Sequence, residues 1–116
     1  MHSVPRPLRS PRQTRLTFTC WPGGHARAVT FSFDDGRVED RDLVARLDRH
    51  GLKSTFNLNA GLCDQSDRIP ACEIATLYAR HELATHTYSH PYPTKLPSEL
   101  LLAELLEDRR HLEALT

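Results

Sequence analysis

Apolar and polar residues alternate in pairs along the first part of the chain, then change period. Leu16, Phe18 and Cys20 alternate with Thr17 and Thr19, the rhythm of a half-buried strand. Pro22, Gly23 and Gly24 make a turn. Val29, Phe31 and Phe33 then alternate with Thr30 and Ser32, predicting a second strand that stops at Asp34, Asp35 and Gly36. From Glu39 the period is helical: Leu43, Val44 and Leu47 share one face, charges occupy the other, and Gly51 stands where a C-terminal cap belongs. The segment LKSTFNL, Leu52 to Leu58, predicts the next strand. A polar loop runs from Asn59 to Arg68, and Pro70 opens a helix with Ile74, Leu77 and Tyr78 on one face. A short strand, roughly Glu82 to Thr85, leads directly into His86, and Pro91 and Pro93 prevent a helix there. Pro97 opens a long amphipathic helix through Leu101, Leu105, Leu106, Leu112 and Leu115, leucines expected in the core. Its acids Glu99 and Glu104 come early and its bases Arg109 and Arg110 late, as the helix dipole prefers. Strands alternating with helices predict an α/β fold with βαβ units and a parallel sheet, preceded by a short β-hairpin.

Composition narrows the functional classes. The 116 residues suffice for one domain with a modest core. Lys+Arg 15 against Asp+Glu 15 leaves no global field that would attract nucleic acid or an anionic membrane. The one uneven stretch is the start, where Arg6, Arg9, Arg12 and Arg15 alternate with Pro5, Pro7 and Pro11; residues 1–14 read as a disordered Arg/Pro-rich tail ahead of a domain over 15–116. That tail lacks the apolar run of a signal peptide, and no stretch approaches the ~20 apolar residues that span a bilayer. Cys20, Cys63 and Cys72 form no CxxC pair and leave one thiol over, which suits reduced cysteines and a cytoplasmic setting.

The chemistry concentrates in two strings, VTFSFDDG (Val29 to Gly36) and, about 50 residues on, HTYSH (His86 to His90). A carboxylate and two imidazoles are ligands that Zn²⁺ and its neighbours accept while one position stays open for water. In parallel α/β folds, sites gather at the C-terminal ends of strands, and both strings end strands, so the topology sends them to the same mouth of the sheet. Neighbouring residues of an extended strand project in opposite directions, so the two aspartates suit two roles: one binding a metal, the other taking a proton from its bound water. Thr87 or Ser89 can hold the loop between the histidines by bonding its backbone.

These residues resemble the NodB-homology domain of carbohydrate esterase family 4, the polysaccharide deacetylases. FSFDDG is similar to that family's T-F-x-D-D-G motif and HTYSH to its H-[ST]-x-x-H motif. The helix after the acids, LKSTFNL and the lead-in HELATHTYSHP also resemble the family, over roughly Ala28 to Leu115. The resemblance implies an irregular (β/α) barrel, with Asp34 as catalytic base and Asp35, His86 and His90 as ligands of a divalent metal, Zn²⁺ first, with Co²⁺ or a similar ion tolerated. It implies hydrolysis of a non-peptide carbon–nitrogen bond, chiefly the N-acetyl group of an amino sugar, with a carbohydrate or small amide as substrate and neither nucleic acid nor membrane as partner. The family's later motifs, including its arginine, its tryptophan and its general-acid histidine, have no counterpart here. A full (β/α) barrel takes about 200 residues or more, so a fragment, or a second chain completing the barrel, is expected.

Other readings stay in view. DDG alone is an ordinary strand-end turn. His81 reads as a loop residue or a support for the ligands, His111 as a residue of a charged helix face, Cys63 as a loop residue and Cys72 as part of a buried helix face. A non-catalytic metal-binding half-domain is the main alternative to an enzyme, and a two-histidine-one-carboxylate iron enzyme a more distant one.

Overall fold

The computed structural model describes residues 19–116. The expected tail over 1–14, and most of the arm from Leu16 to Cys20, lie outside the described residues. Of the expected hairpin, the turn is a 3₁₀ segment, Pro22–Gly24, closed by an antiparallel bridge between Trp21 and His25.

Three strands and three helices follow in strict alternation: β1 Ser32–Asp34, α1 Asp40–Arg49, β2 Thr55–Leu58, α2 Ala71–Leu77, β3 Glu82–Thr85 and α3 Ser98–Leu115. The strands form one parallel sheet in the order β1-β2-β3. Phe33 pairs with Phe56 and Phe56 with Leu83, while Asp34 pairs with Asn57 and Leu58 with Thr85. Both acidic and histidine strings therefore leave the sheet at the same edge of its register.

The middle strand anchors the core. Phe56 and Leu58 are buried, and they pack with Val44 and Leu47 of α1, Ile69, Ile74 of α2, Tyr78 and Leu112 of α3. The Phe56 ring stands 5.7 Å from Phe33 and 4.7 Å from Tyr78, centroid to centroid, tilted in both pairs as aromatic quadrupoles favour. The Tyr78 hydroxyl donates to Asp40 Oδ2 at 2.7 Å, so neither buried polar group is left alone. Burial raises the Asp40 carboxyl above its ordinary range, an effect this hydrogen bond opposes.

Several elements are shorter than their sequence patterns. The strand expected from Val29 begins at Ser32, because the first contact across to β2 is made by the Phe31 carbonyl, which accepts the Thr55 N–H and the Ser54 hydroxyl, each at 3.0 Å. Val29 is exposed despite its place in the alternation. Leu52 belongs to the end of α1 rather than to β2: its N–H reaches the Leu47 carbonyl at 2.9 Å, and Gly51, at φ 65°, donates to Asp48 at 3.0 Å. That pair of bonds is a Schellman cap, with glycine at its left-handed position as expected. In α3, of the five leucines assigned to the core only Leu112 is buried, and Leu105 and Leu106 are exposed alongside Leu100 and Leu102. The helix packs against β3, the segment after β2 and α2. Cys72, too, is exposed rather than on a buried face. Among the described residues no helix is long and apolar enough to cross a membrane.

Candidate metal centre

Asp34 is the last residue of β1, and Asp35 is already off the strand. Asp35 adopts φ 80°, so it is this left-handed turn, rather than strand pleating, that separates the two carboxylates. A non-glycine residue there is uncommon, and such conformations gather at functional sites. Two residues hold it through three contacts. The Asp35 N–H reaches the Asn57 carbonyl at 2.9 Å, the Arg68 guanidinium donates to the Asp35 carbonyl, and Arg68 Nη1 also lies 3.7 Å from Asp35 Oδ2. Gly36, at φ 61°, follows with Leu58 only 3.0 Å from where a Cβ would stand, so the turn continues without room for a side chain.

Beyond β3 the chain coils instead of forming a helix. Thr87 at φ 69° and His90 at φ 58° are both left-handed, and the two imidazoles converge to a centroid separation of 5.2 Å. The loop is held from outside. Asn59 Nδ2 donates to the carbonyls of His86 (2.5 Å) and Thr87 (2.8 Å), and the Gly61 N–H to that of Tyr88 (3.1 Å). Ser89 does not bond the loop's own backbone, as its sequence position suggested; its N–H and its hydroxyl each donate to Glu104 of α3 at 2.8 Å.

The structure brings Asp35, His86 and His90 together, with one ligand atom from each lying within 4.8 Å of the others. Asp35 Oδ1 stands 3.3 Å from His90 Nε2 and 3.9 Å from His86 Nε2. It is buried and has no hydrogen-bond partner. A carboxylate oxygen aimed at two ring nitrogens with nothing to accept from is what a cation would satisfy, and one-carboxylate, two-imidazole sets suit Zn²⁺ and similar borderline ions. Donor atoms around one tetrahedral zinc stand about 3.3 Å apart; the Asp35–His90 spacing of 3.3 Å meets this, whereas His86, at 3.9 Å from Asp35, would have to swing its ring inward to join them. Asp34 points elsewhere: it is exposed, and its Oδ1 accepts from Asn57 Nδ2 at 2.8 Å. Beside the histidines is an open depression of about 510 Å³, bounded by Pro91, Tyr92, Pro93 and Leu105.

His81 is not part of this site. It precedes β3, at the opposite end of the sheet, with its side chain fully buried and edge-on to Phe56 at 5.3 Å. His111 lies against the Tyr88 ring, tilted, at 4.8 Å between centroids. Sequence reasoning missed Arg68, Asn57, Asn59, Glu104 and Asp108. Of these only Asp108 carried a signal: it occupies a stripe position in the series Leu101, Leu105, Asp108, Leu112, Leu115, a carboxylate where the period calls for a leucine.

The match to known families agrees with this geometry. Residues 22–116 fit the family model described as Polysaccharide deacetylase. The chain belongs to the polysaccharide deacetylase family. Several solved structures share the fold. A Streptococcus pyogenes deacetylase, PplD, in complex with acetate matches at TM-score 0.69 and 17% identity, over 74% of this chain and 40% of that one. A family 4 carbohydrate esterase from Bacillus anthracis matches at TM-score 0.64 and 19% identity, over 75% and 42%. The Bc1960 peptidoglycan N-acetylglucosamine deacetylase matches at TM-score 0.59 and 24% identity, over 75% and 40%. This polysaccharide deacetylase chain thus spans about two fifths of the length of those structures, and its three strands are part of the family's barrel. No curated protein matches it in sequence.

Proposed function

We propose that this chain, over residues 15–116, is the metal-binding N-terminal portion of a hydrolase that removes the acetyl group from an N-acetyl amino sugar of a polysaccharide. The observation that carries the reading is the convergence of Asp35 Oδ1, orphaned and buried, with the Nε2 atoms of His86 and His90. Family membership and the named deacetylases sharing the fold support the reaction class. Asp35, His86 and His90 would hold the ion, zinc first and cobalt or a similar ion as substitutes. Bound there, it supplies a water acidified to a pKa near 7 and a Lewis acid for the acyl carbonyl.

Asp34 is the proton acceptor. It ends β1 next to the ligand residue, its Oδ1 is held by Asn57, and its exposed carboxylate is open to a water at the mouth of the sheet. The depression walled by Pro91, Tyr92 and Leu105 gives an apolar and aromatic surface on which a sugar ring could rest beside the histidines. Protonating the departing amine needs an acid, and none of the described residues is placed for it: His111, the histidine of α3 near the loop, is turned to the Tyr88 ring, tilted against it. Losing such a group costs about 10²–10⁴ in rate, so the chain alone should bind metal and turn over slowly.

The test is zinc stoichiometry with deacetylation of a chitin oligomer. One ion per chain should vanish in Asp35→Ala, His86→Ala and His90→Ala and persist in Asp34→Asn. The absence of a stoichiometric ion would refute the reading, and family-like turnover by this chain alone would refute the missing-acid argument. A non-catalytic half-domain is favoured instead if zinc binds but no hydrolysis is detectable even with a completing chain; the exposed leucines of α3 are the observation on its side.

A further inference from the structure

Two carboxylates of α3, Glu104 and Asp108, stand one turn apart, so they share a face of the helix. Both reach the backbone that carries the imidazoles. Asp108 is fully buried; its Oδ1 accepts the Ala60 N–H at 2.6 Å and its Oδ2 the His86 N–H at 2.9 Å, a proton shared with the Leu58 carbonyl at 3.0 Å. Glu104 accepts the N–H and the hydroxyl of Ser89, both at 2.8 Å. One helix thus grips both ends of the His86–His90 loop, at the first ligand and at the residue before the second.

Packing alone does not account for this. A carboxylate in the apolar stripe of a helix is costly to bury, and leucine there would stabilise more. The loop it grips has two left-handed residues, and such a coil persists only where its surroundings over-determine it. We infer that Glu104 and Asp108 are positioning residues that fix the spacing of His86 and His90, so that α3 sets the affinity and coordination geometry of the metal centre without touching ion or substrate. This rests on the metal reading proposed above.

The experiment uses the full chain and two ions, Zn²⁺ by competition titration and Co²⁺ by its visible absorption. Outer partners of metal ligands typically contribute 10–100-fold to affinity. Glu104→Ala, which removes both contacts to Ser89, should weaken zinc binding about 10-fold and alter the cobalt spectrum. Glu104→Gln keeps an acceptor for the N–H and a donor for the hydroxyl oxygen, and should restore both. Asp108→Asn, which offers one acceptor to two N–H groups, should weaken binding by up to about 100-fold. Glu113→Gln, on the same helix and paired only with Arg109 at the surface, is the control and should change nothing. Should Asp108→Asn fail to fold, the Glu104 pair carries the test, because that side chain lies near the surface. Wild-type affinity and spectrum in folded Glu104→Ala and Asp108→Asn would overturn the positioning role alone. Failure of the wild-type chain to take up either ion would overturn the metal reading and this role together.

Discussion

Gly61→Ala puts one methyl group against the loop that holds both imidazoles. A Cβ at Gly61 would stand 2.5 Å from the Tyr88 carbonyl oxygen and 2.7 and 2.8 Å from two carbons of its ring. Reaching 3.0 Å, the closest approach real Cβ atoms make, requires the oxygen to retreat about 0.5 Å; an ordinary contact at 3.4 Å requires about 0.9 Å. The ring can turn aside, but the carbonyl cannot, because it lies between Thr87, held by Asn59, and Ser89, held by Glu104. Gly61 is not in the left-handed region, so the effect is one of contact and not of backbone preference. Metal–ligand distances tolerate about 0.2 Å, well under the displacement required. Zinc affinity should therefore fall at least about 10-fold, the loss seen when ligand support is disturbed. Overpacking should also cost about 1–3 kcal/mol of stability, which lowers the midpoint of a domain this size by about 4–8 °C per kcal/mol. Competition titration with a chromophoric chelator measures the first and thermal circular dichroism the second. A Gly61→Ala chain with wild-type zinc affinity and wild-type midpoint would refute the geometry.

Two further outcomes test the core. Tyr78→Phe strips the buried Asp40 carboxylate of its partner and should cost about 1.5–3 kcal/mol near neutral pH. Burial raises the Asp40 value above its unfolded one, so this group's stabilising contribution is complete below the ordinary carboxylate pKa of 3.8 and is lost as pH rises through the folded value. Without the tyrosine the folded value climbs further, so the deficit should widen between pH 4 and pH 7 in urea titrations; an equal deficit at both would speak against the pair. Leu112→Ala should cost about 2–5 kcal/mol and Leu106→Ala under about 0.5 kcal/mol. Equal losses on denaturation would mean that α3 packs by another face.

Period and punctuation carried most of the fold. β3 and its exit into His86 fall where a short strand before two prolines was expected, and Pro97 precedes a helix that begins at Ser98. The misses have physical causes. Val29 and Leu52 continue an apolar pattern past the point where a neighbouring backbone is there to pair. The leucines of α3 carry helical periodicity without saying how wide a stripe its partners cover, and they cover little. At the site, the meeting of the acidic and histidine strings followed from strand ends sharing one mouth, while the choice of Asp35 over Asp34 as ligand came from the family resemblance. What held them was illegible, because Arg68, Asn59 and Glu104 act through backbone groups brought near by the turns at Asp35, Thr87 and His90. Such long-range bonds from side chain to main chain leave no spacing in a sequence.

The donors that converge on this cluster come from beyond β1 and β3, the outermost strands, with none from β2 between them. A cation seated there would act as a buckle over the central strand, joining its two flanks at the exit end of the sheet. Occupancy and folding would then be coupled: at a hundredfold excess of ion over its dissociation constant, the native state would gain about 2.7 kcal/mol. Chelation would be felt first at the margins of the sheet, with Phe56 and Leu58 at its middle the last to open.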